Sequence, residues 1–156
     1  MREVGPADAT LTVKTYREGV AAKVGHDLVI VVTRWSATIG DDGAIVLSAD
    51  PRSLEIREGL RGAKPLSDRD RREILKNIDQ KILGSSPIEF RSTAVEGDRV
   101  TGELTMAGAT RPVTVTRTAD GGSATLVQSQ WGIKPYRGLM GALKVRDDVE
   151  VIVTGV

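Results

Sequence analysis

The two residues best suited to acid–base catalysis are adjacent in the sequence. The only histidine of the chain, His26, is followed directly by Asp27 in the stretch VGHDLVIVV, residues 24–32. Imidazole titrates near neutral pH and a carboxylate can orient it, so the pair could transfer protons. Neighbouring residues of a β-strand, however, point to opposite faces. The pattern therefore favours a structural histidine, or one that touches a ligand head group at a rim, over a catalytic dyad. An enzyme that acts on a hydrophobic substrate through His26 and Asp27 is the minor alternative.

Other chemistries lack the residues they need. The chain has no cysteine and one histidine, whereas catalytic zinc commonly uses three protein ligands. The acidic stretches GDDG and RDDVE are explained more simply as solvated turns than as Ca²⁺ or Mg²⁺ loops. The glycine-rich stretch WGIKPYRGLMGALKV has no Gly-Lys-Ser/Thr ending, and no Gly-x-Ser-x-Gly elbow occurs. We therefore predict no catalytic residue, no metal site and no cofactor.

Composition limits the partners. The 156 residues carry 22 Lys+Arg against 21 Asp+Glu, a formal charge of +1, and the basic residues are interspersed with acidic ones. This balance argues against nucleic acid as a partner. No run approaches the roughly 18 apolar residues of a membrane span, and the first residues lack the apolar segment of a signal peptide. We expect one domain over residues 1–156, without a membrane span and in the cytoplasm.

Hydrophobic periodicity predicts strands before and after one helix. ATLTVKTY, then LVIVVTRWSATIG as one long strand, and AIVLSAD after the turn GDDGA read as strands. LSDRDRREILKNIDQKILGSSP is amphipathic and predicts a helix that is capped by Ser67 and Asp70 and stopped by Gly84. Five closely spaced strand patterns follow. About eight strands with one inserted helix predict an antiparallel sheet that closes into a barrel or folds as a sandwich.

A family resemblance rests on several of these stretches in order. GELTMAGATRPV, residues 102–113, resembles the most recognisable motif of the YceI-like family. SLEIREG, the capped helix, IEFRSTAVEGD, QWGIKP and VRDDVEVIV also follow the order of that family. The resemblance covers nearly the whole chain. It implies an all-β fold, an eight-stranded antiparallel lipocalin-like barrel with one inserted amphipathic α-helix, whose lumen takes polyisoprenoid or other amphiphilic lipid tails.

An eight-stranded barrel is either filled by its own side chains or wide enough for one slender ligand. The first hypothesis is therefore a non-enzymatic protein that binds, sequesters or transports an isoprenoid, isoprenoid quinone or fatty-acyl lipid. The second is a packed barrel that serves as a protein-interaction module, with a homodimer as one form. Alternation along the strands predicts the lumen residues as Leu11, Val13, Ile30, Val32, Phe90, Leu104, Met106, Val113, Val115 and Trp131. Ile133 and Met140 are expected near the mouth, on a glycine-rich segment that is either a lid over the cavity or a loop packed onto the core. His26, expected at the rim, completes the predicted ligand-binding set.

Overall fold

The chain is dominated by short antiparallel strands. The computed structural model describes residues 1–19, 22, 25–62, 64–138 and 143–156. In chain order the strands are β1 (Arg2–Val4), β2 (Thr10–Thr15), β3 (Arg17–Glu18), β4 (Asp27–Val32), β5 (Trp35–Ile39), β6 (Ile45–Ala49), β7 (Leu54–Leu60), β8 (Ile88–Glu96), β9 (Arg99–Met106), β10 (Ala109–Thr118), β11 (Gly121–Val127), β12 (Arg137–Gly138), β13 (Leu143–Val145) and β14 (Asp148–Thr154).

Eleven of these strands form one sheet. Its order is β1-β5-β6-β8-β9-β10-β11-β14-β2-β4-β7, and every neighbouring pair is antiparallel. Strands β12, β13 and β3 form a separate small sheet. The predicted all-β antiparallel class is confirmed, but the predicted count of eight strands is wrong. Strands of two or three residues, such as β1 and β3, are too short to show alternation in the sequence.

One predicted strand is two strands. The stretch LVIVVTRWSATIG breaks at Thr33 and Arg34, where the backbone N–H of Thr33 donates to the Ser53 carbonyl at 2.7 Å and that of Arg34 donates to the Ser53 hydroxyl at 3.1 Å. Strand β4 then pairs with β2 and β7, whereas β5 pairs with β1 and β6. The bend therefore moves the chain between distant positions of one sheet, which continuous β-propensity cannot reveal.

The helix begins where the sequence predicts. Helix α1 (Asp68–Asn77) has Ser67 as its N-cap: the hydroxyl accepts the N–H of Asp70, and the Asp70 carboxylate accepts the N–H of Ser67. Wider π-helical turns continue it over Ile78–Leu83, and Gly84 follows with φ 62°. Glycine adopts a positive φ without strain because it has no Cβ, so it can end a helix here. No helix in the described part of the chain is long and apolar enough to cross a membrane.

Alternation of side chains gives the sheet an apolar inner face. Along β9, Val100, Gly102, Leu104 and Met106 are buried, while the residues between them are half-buried or exposed. The buried side chains form two clusters. One surrounds Phe90, and the other includes Val4 of β1, Leu11 of β2 and Trp35 of β5. The two clusters share half-buried neighbours, so they are continuous across the inner face of the sheet.

Candidate functional site

The inner face of the sheet surrounds a cavity of about 530 Å³. All eleven strands of the large sheet contribute to its wall, so the sheet must curl around it. Pockets that bind small molecules commonly measure roughly 300 to 1,000 Å³. A barrel packed solid with side chains, the alternative expectation from the sequence, would not leave this space.

Strand register brings the apolar wall residues side by side. In the pairing of β2 with β4, Leu11 lies opposite Val32 and Val13 lies opposite Ile30, and all four line the cavity. Cross-strand partners share a face of the sheet, so this register fixes which side chains point inward. An apolar strip two strands wide results on this side of the wall.

The turns after α1 complete the wall. Ile78, Ile82 and Leu83, all on the π-helical segment, line the cavity together with Phe90 of β8. Ile78 and Ile82 are four residues apart and therefore project from neighbouring positions on the helix surface. The amphipathic pattern predicted this apolar face, and the capping box at Ser67 fixes where the helix begins.

One end of the cavity is lined by buried residues. Gln128 is buried, and its side-chain amide donates to the carbonyl of Arg146 at 3.1 Å. The Thr15 hydroxyl is also buried at this end and finds no hydrogen-bond partner in the described residues. Just outside, the guanidinium of Arg146 lies 5.1 Å from the centre of the Tyr16 ring and donates to Asp148.

Tyr16 and Asp148 are among the outer groups whose pKa values are shifted. Burial raises the pKa of Tyr16, and the neighbouring Glu150 raises it further through a hydrogen bond and its negative charge. The hydrogen bond from Arg146 lowers the pKa of the Asp148 carboxyl. Both groups are therefore held in one charge state around neutral pH. Neither lines the cavity, so their part at this end is structural.

The opposite end reaches the surface. Arg2, Thr118 and Ala119 line the cavity there and are exposed. Arg117 is half-buried, and its Nη2 donates to the carbonyl of Gly43 at 2.6 Å. The cavity therefore runs from a buried end with neutral polar groups to an open end with two arginines.

The predicted site residues divide into three groups. Met140 lies outside the described residues. Two others, Trp131 and His26, do not line the cavity. Ten side chains that the sequence placed together do line it: Leu11, Val13, Ile30, Val32, Phe90, Leu104, Met106, Val113, Val115 and Ile133.

Trp131 lies in the core beside the cavity rather than on its wall. It ends a short 3-10 helix (Gln128–Trp131) and is only 3% exposed. Its indole N–H donates to the carbonyl of Leu104 at 2.9 Å. A buried indole needs an acceptor, and here a strand backbone supplies one, which corrects the expected lumen position.

His26 also lies away from the cavity wall. Its Nε2 is 2.5 Å from the carbonyl oxygen of Lys64, and its ring covers the backbone at Gly59 and Gly62. Of the positions open to it from the sequence, pairing with a backbone group is the one that the structure shows. A direct contact with a ligand inside the cavity is not supported.

Asp27 is used by the fold. It is 6% exposed, and its carboxylate accepts the backbone N–H of Arg17 at 2.8 Å and the Nε of Arg61 at 2.5 Å. Arg17 in turn donates to the carbonyls of Ala22 and Gly25. These contacts tie the start of β4 to the ends of β3 and β7. His26 and Asp27 do not converge on the cavity, as an enzyme using both would require.

Part of the wall was not predicted from the sequence. Many of the missed residues lie on β5, β6 and β14, where alternation in WSATI, IVL and VEVIV was the available signal. They include Trp35, Ala37, Ile39, Ile45, Leu47, Val149, Val151 and Val153. These three strands were recognised, but none of their inward residues was assigned to the lumen.

Metal chemistry has no assembled site in the described residues, where no group of three or more His, Asp or Glu side chains could hold an ion. No curated protein matches the chain. The YceI-like domain family matches residues 12–156, from the second strand through the last. The curled antiparallel sheet, the inserted helix and this match together show that the chain belongs to the YceI-like family.

Proposed function

We propose that the protein binds the tail of one long-chain amphiphile inside the cavity and sequesters or carries it without chemical change. The ligand classes that fit are an isoprenoid, an isoprenoid quinone and a fatty-acyl lipid. The observation that carries the proposal is the 530 Å³ cavity with its apolar wall. An apolar wall selects a ligand by the length and thickness of its hydrocarbon tail, and not by hydrogen-bonding groups on the ligand.

Burial of hydrocarbon supplies enough free energy for such binding. Each methylene removed from water is worth about 0.8 kcal/mol, so about ten buried carbons are worth about 8 kcal/mol before the costs of association. Valine, leucine and isoleucine side chains around a preformed space also lose little freedom when a tail enters. Affinity should therefore rise steadily with tail length until the cavity is full.

The polar residues support binding over catalysis. Asp27 is committed to Arg17 and Arg61, and His26 to the backbone of Lys64. The polar groups that do line the buried end, Thr15 and Gln128, have no histidine beside them in the cavity wall, because the only histidine of the chain, His26, does not line the cavity. The non-enzymatic reading requires nothing further of these side chains.

The test uses a series of straight-chain alkanols from hexanol to hexadecanol, titrated by calorimetry and by the fluorescence of Trp35, which lines the cavity. We expect one site per chain and an affinity that increases with length. Failure of every alkanol longer than about ten carbons to bind would overturn the proposal.

A matched pair of variants locates the site. Val115 lines the cavity, whereas Thr116, the next residue of β10, is exposed and does not. Val115→Phe should shorten the longest alkanol that binds, because the added ring occupies tail space. Thr116→Phe adds similar bulk on the outside and should leave the series unchanged. Equal effects of the two substitutions would place binding outside the cavity.

A further inference from the structure

The open end of the cavity carries charge of one sign at inward positions. We propose that Arg2 and Arg117 bind the head group of the ligand there, and that this head group is an anion, a carboxylate or a phosphate. This inference rests on the proposed function, because it assigns the chemistry of the head to a ligand whose tail fills the cavity. It also fixes the orientation: the head lies at the open end and the tail points towards Thr15 and Gln128.

The position of Arg117 within β10 is the first observation. Val113, Val115 and Arg117 alternate along the strand, and all three line the cavity. A charged residue that continues an inward apolar series is costly to desolvate unless it gains a partner. The guanidinium gives one N–H to the Gly43 carbonyl, and a guanidinium has five N–H donors in total. Donors therefore remain for a ligand.

Arg2 lies at the same end of the cavity but on a distant strand of the sheet. It lies on edge strand β1, where its cross-strand partner is Ile39, the last residue of β5. Ile39 directly precedes the turn 40–44, which contains the Gly43 that Arg117 contacts. Two arginines from strands far apart in the sheet order thus both lie beside this turn at the cavity opening.

Acidic side chains do not neutralise this pair. In the described ranges of the chain, neither Arg2 nor Arg117 forms an ion pair. The turn itself carries two aspartates. Asp42 accepts the backbone N–H of Ala44 at 3.0 Å, and Asp41, whose side chain is 97% exposed, pairs with the N-terminal amine. The two guanidinium groups are therefore available to an anion.

Guanidinium geometry selects the kind of anion. Its planar fork matches the paired oxygens of a carboxylate or a phosphate and makes charge-assisted hydrogen bonds with them. At the buried end, Thr15 and Gln128 are neutral and offer no counter-charge. A tail with an ionised head should therefore enter in one orientation, and a neutral head should gain little at the open end.

The experiment compares three ligands with the same tail: dodecanoate, dodecyl phosphate and dodecanol, at pH 8. The wild-type protein should bind both anions on the order of tenfold more tightly than the alcohol. Arg117→Gln and Arg2→Gln should each remove most of that preference while leaving dodecanol affinity unchanged. Arg99→Gln is the matched control, because Arg99 lies on neighbouring β9, is exposed and does not line the cavity. It should keep the full preference.

The outcomes separate this inference from the proposed function. If none of the three ligands binds, the proposed function fails. If all three bind the wild type equally, or if the double variant with Arg2→Gln and Arg117→Gln keeps the preference, tail binding stands and the anionic head is wrong. Inorganic phosphate is titrated alone: binding as tight as that of dodecyl phosphate would show a site for free anions and overturn the lipid assignment. Should Arg117→Gln lose its contact with Gly43 and fail to fold, Arg2→Gln on an exposed residue decides the question.

Discussion

Two regions of the molecule differ in how their residue types relate to their roles. The cluster around His26 and Asp27 contains the side chains most often found in catalysis, yet their polar atoms are occupied by backbone groups and arginines of the fold. The cavity wall is built mainly from aliphatic side chains with no reactivity, yet it surrounds a space of about 530 Å³. Reactive residue types therefore point to a site only when their side chains face open space.

The two regions should also contribute to different properties of the protein, namely its stability and its ligand affinity. The polar cluster joins β3, β4 and the segment after β7, so a substitution there should change the free energy of unfolding. The wall faces empty volume, so a substitution there should change ligand affinity. Measuring stability and alkanol affinity together for each variant tests whether the two regions are independent.

The largest effect is expected for Asp27→Ala. The substitution leaves the backbone N–H of Arg17 without its acceptor and removes the partner of Arg61. Arg61 is 61% exposed and can be solvated, so we expect a loss of about 2 to 3 kcal/mol of unfolding free energy rather than more. Urea denaturation measures this loss. The folded protein should keep its dodecanol affinity.

Asp98→Ala is the control for that variant, because Asp98 is exposed and its side chain forms no ion pair in the described residues. It should change stability by less than about 0.5 kcal/mol. A stable Asp27→Ala protein with lost alkanol binding would break the comparison, since it would make Asp27 part of the binding site.

An intermediate effect is expected for Ser67→Ala, which removes the cap of the helix whose π-helical continuation lines the cavity. The loss should be about 1 kcal/mol at neutral pH. Hydrogen bonds from the Ser67 backbone and then from its hydroxyl lower the pKa of Asp70. A carboxyl whose pKa is lower in the folded state stabilises above its unfolded pKa of about 3.9 and loses that contribution as pH falls through the folded value.

The difference in stability between wild type and Ser67→Ala should therefore shrink as the pH falls below about 4. Thermal unfolding from pH 7 to pH 2.5 measures it. Ser36→Ala, at an exposed position of β5, should show no such convergence. A constant difference over the whole range would mean that Asp70 does not contribute to the cap.

The smallest effect is expected for His26→Ala. Loss of the contact with the Lys64 carbonyl, an exposed hydrogen bond, should cost about 0.5 kcal/mol of stability and leave dodecanol affinity unchanged. Both are measured on the same preparation. Turnover of a lipid ester by the wild type, abolished in folded His26→Ala and Asp27→Asn variants, would instead assign these residues to an active site.

Local patterns in the sequence carried much of the fold. The antiparallel all-β class, the capping box at Ser67 and Asp70, and the helix stop at Gly84 all follow from short-range signals. The break at Thr33 and Arg34 did not, because it depends on Ser53, some twenty residues away in the chain. A hydrogen bond between residues so far apart in the chain does not alter the hydrophobic periodicity of the sequence.

The site was predictable where alternation was regular. Along β9 and β10 the inward side chains follow a period of two, and Leu104, Val113 and Val115, which alternation assigned to the lumen, line the cavity. Trp131 was not, because a 3-10 helix replaces the strand there and turns the indole into the core. Arg117 was not predicted as a wall residue, because the wall was predicted from apolar residues at inward positions and Arg117 is charged.

The open ends of the large sheet have a consequence for how copies of the chain behave in concentrated solution. Strand β7 pairs only with β4 in the described residues, so its other edge has no strand partner there. Exposed Glu55, Arg57 and Glu58 lie along the strand. Charged side chains on an edge strand oppose the addition of a foreign strand. Replacing them with valine or threonine should increase self-association by sheet extension, whatever the cavity contains.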